Sequence, residues 1–158
     1  MINHRLATIT EPVTTVASVI SNNLKPDDPT THKGSNTWNF PYPECTQHTG
    51  QTAIFRRYKG DEVGKHFHPR CPNKNPEQFL LLNGKVEFWF RDLHQGSRSL
   101  ILDVEKSGPV IVLIPPYILH GLDVISNEVL FMEQQTEPWN PELTFSEAEF
   151  LLLHKTLT

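Results

Sequence analysis

From Asn36 onward the chain is written in short apolar segments, TWNF, QTAIFRRY, VGKHFH, EQFLLL, KVEFWFRD, SLILDV, VIVLI, HGLDVI and EVLFMEQ, separated by turn-forming residues. Segments this short, at close spacing and with no long helical pattern between them, specify antiparallel sheets packed face to face. They argue against a parallel sheet with crossover helices. The expected fold is all-β, a sandwich or barrel, and 158 residues are enough for one domain with a real core. Residues 36–158 read as that domain and residues 1–35 as an N-terminal arm and loop. In the arm, Val13, Val16, Ile20 and Leu24 recur at helical spacing after Pro12, which predicts a helix, while their β-branching keeps a sheet-edge strand as the alternative. KPDDPTTHKGSN is a surface loop in which His32 is expected to be solvated.

Charge and cysteine usage narrow the partners. A formal net charge of -4 leaves no overall basic face for phosphate neutralisation, so nucleic acid is not expected. Two cysteines, Cys45 and Cys71, are too few for a disulfide framework and fit a reducing cytoplasm. No apolar run approaches the ~20 residues of a membrane span, and MINHRLATITEPV lacks the plan of a signal peptide. A small-molecule ligand remains as the expected partner.

The stretch from Gly60 to Gly84 carries the chemistry. His66 and His68 lie two apart, so on a strand both imidazoles leave one face and can converge on an ion. Glu77 opens EQFLLLNGKVEFWF, in which Asn83-Gly84 signals a two-residue hairpin. In that register Leu82 faces Lys85, Leu81 faces Val86, Phe79 faces Phe88 and Glu77 faces Phe90. One face then holds Glu77, Phe79, Leu81, Val86, Phe88 and Phe90; the other holds Gln78, Leu80, Leu82, Lys85, Glu87, Trp89 and Arg91. A lone carboxylate on a buried apolar face is costly unless something pairs with it, and a metal held by His66 and His68 is one such partner. His120, in LIPPYILHG, can supply a fourth donor. The competing reading makes these histidines solvated or core residues.

These residues resemble the cupin superfamily, whose first motif runs from glycine through H-x-H and glutamate to a second glycine, matched by Gly60, His66, His68, Glu77 and Gly84. Its second motif, of glycine, proline and histidine, resembles Gly108, Pro115 and His120. The chain departs from the pattern in a longer gap between His68 and Glu77 and in Tyr117, which stands where a glycine is expected. The resemblance implies a jelly-roll β-barrel whose mouth holds one divalent transition metal, Zn, Fe, Mn, Ni or Cu, bound by His66, His68, Glu77 and His120. The segments around Glu77 and His120, with the later EPWNPE, also resemble cupin domains that isomerise or epimerise nucleotide-linked sugars in surface-polysaccharide synthesis. A small cupin-type dioxygenase, a non-catalytic sugar-binding module and a cupin without ligand are the alternatives.

Around the donors, Phe79 and Phe90 are expected to line an aromatic pocket, and Tyr117 to place a phenol near its mouth. Strand alternation turns one of Arg56 and Arg57 inward, where it could grip an anionic group, without saying which. PRCPNKNP, with three prolines, is expected to be a rim loop in which Cys71 is passive, and Cys45 and His48 take the same default. At the C-terminus, Ser146 and Glu149 form a capping box, with Phe145 and Phe150 as its hydrophobic staple. A short terminal helix follows, with His154 in its last turn. Its leucines, together with Leu80, Leu82 and Trp89, leave apolar surface that a homodimer would cover.

Overall fold

The computed structural model describes residues 20–23, 51–71, 76–93, 96–135 and 140–157. Among these residues, ten strands form two five-stranded antiparallel sheets. The first is ordered β1 (Ile20–Asn23), β7 (Val110–Ile114), β4 (Glu77–Asn83), β9 (Glu128–Gln135), β2 (Gln51–Tyr58). The second is ordered β10 (Phe145–Ser146), β3 (Glu62–Phe67), β8 (Leu119–Val124), β5 (Lys85–Asp92), β6 (Gly96–Asp103). A single turn, α1 (Val104–Ser107), links β6 to β7, and α2 (Glu147–Leu157) ends the chain after a 3-10 turn at Pro141–Leu143. The all-β reading holds. Between the sheets, Leu81, Val86, Phe88, Val112, Ile114 and Phe131 are among the residues of the main core.

The connection at Asn83-Gly84 differs from the expected hairpin. Strand β4 pairs with β7 and β9, whereas β5 pairs with β6 and β8, so the two strands lie in opposite sheets and the Leu82–Lys85 register does not exist. A type I′ hairpin needs positive φ at both central residues, and here only Gly84 has it, at φ 89. The turn is a corner from one sheet to the other. Gly84 is required there, because a Cβ would meet the Glu128 carbonyl oxygen at 2.4 Å and Ser126 Oγ at 2.7 Å. The corner is held by Lys85 N donating to Ser126 Oγ (2.9 Å), by Ile125 N donating to the Lys85 carbonyl (3.0 Å) and by Val104 N donating to the Gly84 carbonyl (3.1 Å). The faces survive this change of partner. Leu81, Val86 and Phe88 are core residues with Phe79 and Phe90 packed on them, while Leu80 and Leu82 lie in a separate cluster with Ile111, Leu113 and Met132.

Two further differences concern the termini of the domain. Ile20–Asn23, inside the segment expected to be helical, form the edge strand of the first sheet against Leu113–Val110, which is the alternative that β-branching favoured. The rest of that stretch, TWNF, His32, Cys45 and His48 lie outside the described residues. At the other end the capping box is formed: Ser146 N donates to Glu149 Oε2 at 2.7 Å, and Glu149 N donates to Ser146 Oγ at 3.4 Å. Phe145 and Phe150 are fully buried with Phe67, Leu93, Tyr117 and Leu119 in a second cluster outside the barrel, against which Trp89 packs. Trp89 is thus half-buried against this cluster.

Gly84→Ala should destabilise the protein by about 1–3 kcal/mol, from left-handed strain plus the contact with Glu128. Urea unfolding at neutral pH measures it, and an unchanged midpoint would refute the corner geometry.

Candidate metal centre

Two of the four grouped donors reach the inner face through a defect in β3. Regular alternation would put Val63, Lys65 and Phe67 on one side and His66 and His68 on the other. The ladder with β8 pairs Gly64 with Gly121 and then His66 with His120, so β3 spends one extra residue and Lys65 bulges out at φ 60. The bulge inverts parity. Val63 therefore packs on the main core, and His66 and His68 follow it inward, while Lys65 pairs with Glu62 outside and Phe67 joins the second cluster. The strands approach closely enough that a Cβ on Gly64 would lie 2.7 Å from the Gly121 Cα.

His120 is the second residue of β8, after the turn Pro115–Ile118. Tyr117, where the cupin pattern has glycine, takes a left-handed backbone at φ 65, and its N–H donates to the His68 carbonyl at 2.8 Å. That conformation costs a non-glycine residue about 1–2 kcal/mol, which burial of the ring in the second cluster offsets. Tyr117 accordingly packs in the outer cluster.

Glu77 comes from the other sheet, at the head of β4. Donor atoms of His66, His68, Glu77 and His120 all lie within 4.8 Å of one another, and only His66 is not fully buried. Donors 2.0–2.2 Å from one ion are at most about 4.4 Å apart, so a few tenths of an ångström of closure suffice. His68 Nδ1 donates to the Leu143 carbonyl at 2.7 Å and His120 Nδ1 to the Ile118 carbonyl at 2.9 Å. Since a carbonyl only accepts, both Nδ1 atoms carry protons and both Nε2 atoms turn to Glu77 Oε2, at 3.5 and 3.1 Å. Neither Nε2, though buried, makes a hydrogen bond among the described residues. Orphaned, convergent, neutral-capable nitrogens beside a carboxylate are the donor set a divalent transition metal takes. Burial alone would raise the Glu77 pKa, but His120 and then His68 outweigh it and hold the carboxyl well below its ordinary value. Glu77 is therefore ionised at neutral pH. The cluster could hold a metal ion.

Phe79 meets the His120 ring edge-on at 6.1 Å, and Phe90 stands opposite His120 in the β5–β8 ladder, so both expected aromatic residues flank the cluster. The arginines do not. Arg57 turns inward and lies over Phe55 at 5.2 Å, whereas Arg56 is exposed against Glu128. Arg57 aligns with Val129, beyond the level of Asn83, and so sits at the end of the sheet opposite Glu77. The structure thus does not bring either arginine to the His66, His68, Glu77 and His120 cluster. Cys71 is buried and is not part of the donor group.

Sequence reasoning passed over Glu133. It is buried on β9 and faces Phe79, which makes it a diagonal neighbour of Glu77 on the same sheet face. Alternation in EVLFMEQ could have found it, because Val129 and Phe131 are core residues and the next inward position is 133.

No protein-family model and no curated protein matches this chain. Solved structures do. A mutant of the 3,4-ketoisomerase QdtA from Thermoanaerobacterium thermosaccharolyticum, in complex with TDP-4-keto-6-deoxyglucose, matches at 13% identity over 90% of this chain and 97% of its own, with a TM-score of 0.67. The dTDP-4-dehydrorhamnose 3,5-epimerase from Elizabethkingia anophelis NUHP1 matches at 17% identity over 84% of this chain and 76% of its own, TM-score 0.61. The capsular polysaccharide assembling protein CapF from Staphylococcus aureus is 21% identical over 61% of this chain, TM-score 0.52. This chain spans only 26% of CapF. These likenesses are likenesses of fold: two antiparallel sheets packed as a sandwich with a C-terminal helix, the cupin fold that the sugar-nucleotide epimerases and ketoisomerases also have.

Proposed function

We propose that the protein is a metal-binding cupin that isomerises or epimerises a keto-sugar nucleotide or a related small polyol. The observation that carries this reading is the buried cluster of His66, His68, Glu77 and His120 on the inner face of a barrel. In support, structurally similar proteins act on such sugars, and one is described with a keto-sugar nucleotide bound. His66, His68, Glu77 and His120 would hold the ion, which when bound lowers the cost of negative charge on a substrate carbonyl oxygen. Phe79 and Phe90 flank that position and shield it from water.

Removal of a proton next to a carbonyl also needs an acceptor outside the ligand set. Glu133 is a buried inner-face carboxylate one ladder step from Phe79, and in this reading it takes the proton from the carbon beside the carbonyl. The C–H electron pair becomes the C=C of the enediolate, and the carbonyl π pair moves to oxygen. Return of the proton to the former carbonyl carbon, with the neighbouring hydroxyl proton passing to the former carbonyl oxygen as that hydroxyl becomes the new carbonyl, isomerises the sugar; protonation of the same carbon on its other face epimerises it.

His66→Ala combined with His68→Ala should abolish stoichiometric metal in the purified protein, measured by elemental analysis. Metal retained at one equivalent would sink the site. The metal-loaded protein should incorporate deuterium from heavy water into a keto-sugar nucleotide, and chelation should stop it. Glu133→Gln should keep its metal and lose about 100-fold or more of that exchange. Failure of every keto-sugar, with dioxygen uptake on a thiol or diketone substrate, would make the protein a dioxygenase instead. Binding without exchange would make it a sugar-binding module. Ile54 and Tyr58, exposed on the outer face of edge strand β2, belong with the proposed homodimer; a single 18.1 kDa species in micromolar light scattering would refute that assembly.

A further inference from the structure

The two Nδ1-capped histidines are held in different ways. His120 donates to the carbonyl of Ile118, two residues away in its own turn, so its orientation is local. His68 donates to Leu143, 75 residues downstream, at 2.7 Å, and nothing in its own strand replaces that acceptor among the hydrogen bonds described. The chain around Leu143 is built to aim this carbonyl. Leu143 closes the 3-10 turn Pro141–Leu143, which Asn140 caps by accepting the Glu142 N–H on Oδ1 at 3.0 Å, with Leu143 N donating to the Asn140 carbonyl at 3.1 Å and Thr144 N to the Pro141 carbonyl at 3.2 Å.

Directly after this turn, β10 pairs with the histidine strand itself, Phe145 opposite Phe67 and Ser146 opposite His66. Phe67, the residue between His66 and His68, is clasped from outside by Phe145 at 5.2 Å and Phe150 at 5.5 Å between ring centroids. Phe67, Phe145 and Phe150 are each fully buried. The capping box at Ser146 and Glu149 then fixes where α2 starts, and so where Phe150 lands.

We infer that residues 140–157 are a positioning element of the metal centre, acting through the Leu143 carbonyl on His68. The inference rests on the metal-binding reading of the cluster. Docking of α2 sets the turn, the turn sets the carbonyl, and the carbonyl sets the tautomer and rotation that present His68 Nε2 to the ion. Losing such a partner typically weakens metal affinity 10–100-fold. Linkage makes the effect reciprocal, so a bound ion must also hold the C-terminal segment down.

The test uses the full chain and measures cobalt(II) affinity by chelator competition, with the cobalt absorption spectrum recorded alongside. Phe150→Ala should weaken cobalt binding about 10-fold and alter the spectrum, whereas Leu151→Ala, on the exposed side of α2, should change neither. Asn140→Ala, at an exposed position of the turn, should act in the same direction without touching the core, and decides the matter if Phe150→Ala does not fold. In a His68→Ala background both effects should vanish, because the coupling runs through that ring. Cobalt should also slow amide hydrogen exchange in residues 147–157 of the unmutated protein and not in His68→Ala. Equal penalties with and without His68, or no penalty in either background, would show that the segment only packs against the barrel. A wild-type protein that binds no cobalt would overturn the metal reading and this inference together.

Discussion

Glu77 is buried between the Nε2 atoms of His68 and His120, and that contact joins the two sheets at the end of the barrel where the candidate site lies. An ionised carboxylate cannot be taken out of water cheaply, and nothing apolar in the surrounding core could replace its hydration. Its burial therefore calls for positive charge at the point where the two Nε2 atoms and the carboxylate converge, from the histidines themselves or from a cation held between them. The arrangement therefore demands that β4, from one sheet, and β3 and β8, from the other, be brought into register at one level. Several irregular features of the chain serve that demand.

The bulge at Gly64–Lys65 is one of them. Without it the core side of β3 would carry Val63, Lys65 and Phe67, and the histidines would point at the C-terminal helix. The corner at Gly84 is another, since it sends β5 into the second sheet and places Phe88 and Phe90 beside His120 rather than beside Glu77. Tyr117 accepts a left-handed backbone so that its N–H reaches the His68 carbonyl. Strain here is local and small, and the packing around each position over-determines it. The C-terminal segment completes the frame by covering Phe67 from outside and by supplying the acceptor for His68.

The site that results has an asymmetric shell. His66 on β3, His68 just past its end and His120 on β8 supply the imidazoles, and Glu77 comes from the facing sheet, with Phe79 and Phe90 beside His120. The barrel's other end carries Arg57 over Phe55, level with Val129 on β9, whereas Glu77 lies past the level of Gln134 at the opposite end of that strand.

What the amino-acid sequence determined by itself was whatever depends on period and local chemistry. Alternation placed Glu77, Phe79, Leu81, Val86 and Phe88 on the inner face, spacing put His66 and His68 on one side, and the capping box with its staple announced α2. These hold because side-chain direction along a strand and the capping of a helix are settled within a few residues. Strand partners, by contrast, were decided only in the folded molecule. Asn83-Gly84 can close a hairpin or turn a corner, and the contacts that select the corner come from Ser126, Glu128 and Val104, far along the chain. Likewise the inward turn of Arg57, its distance from Glu77, the exposure of the Tyr117 position to the outer cluster and the hand-over of His68 to Leu143 all depend on register between segments tens of residues apart. A period-two pattern states which face a residue occupies; only tertiary pairing states what it meets there.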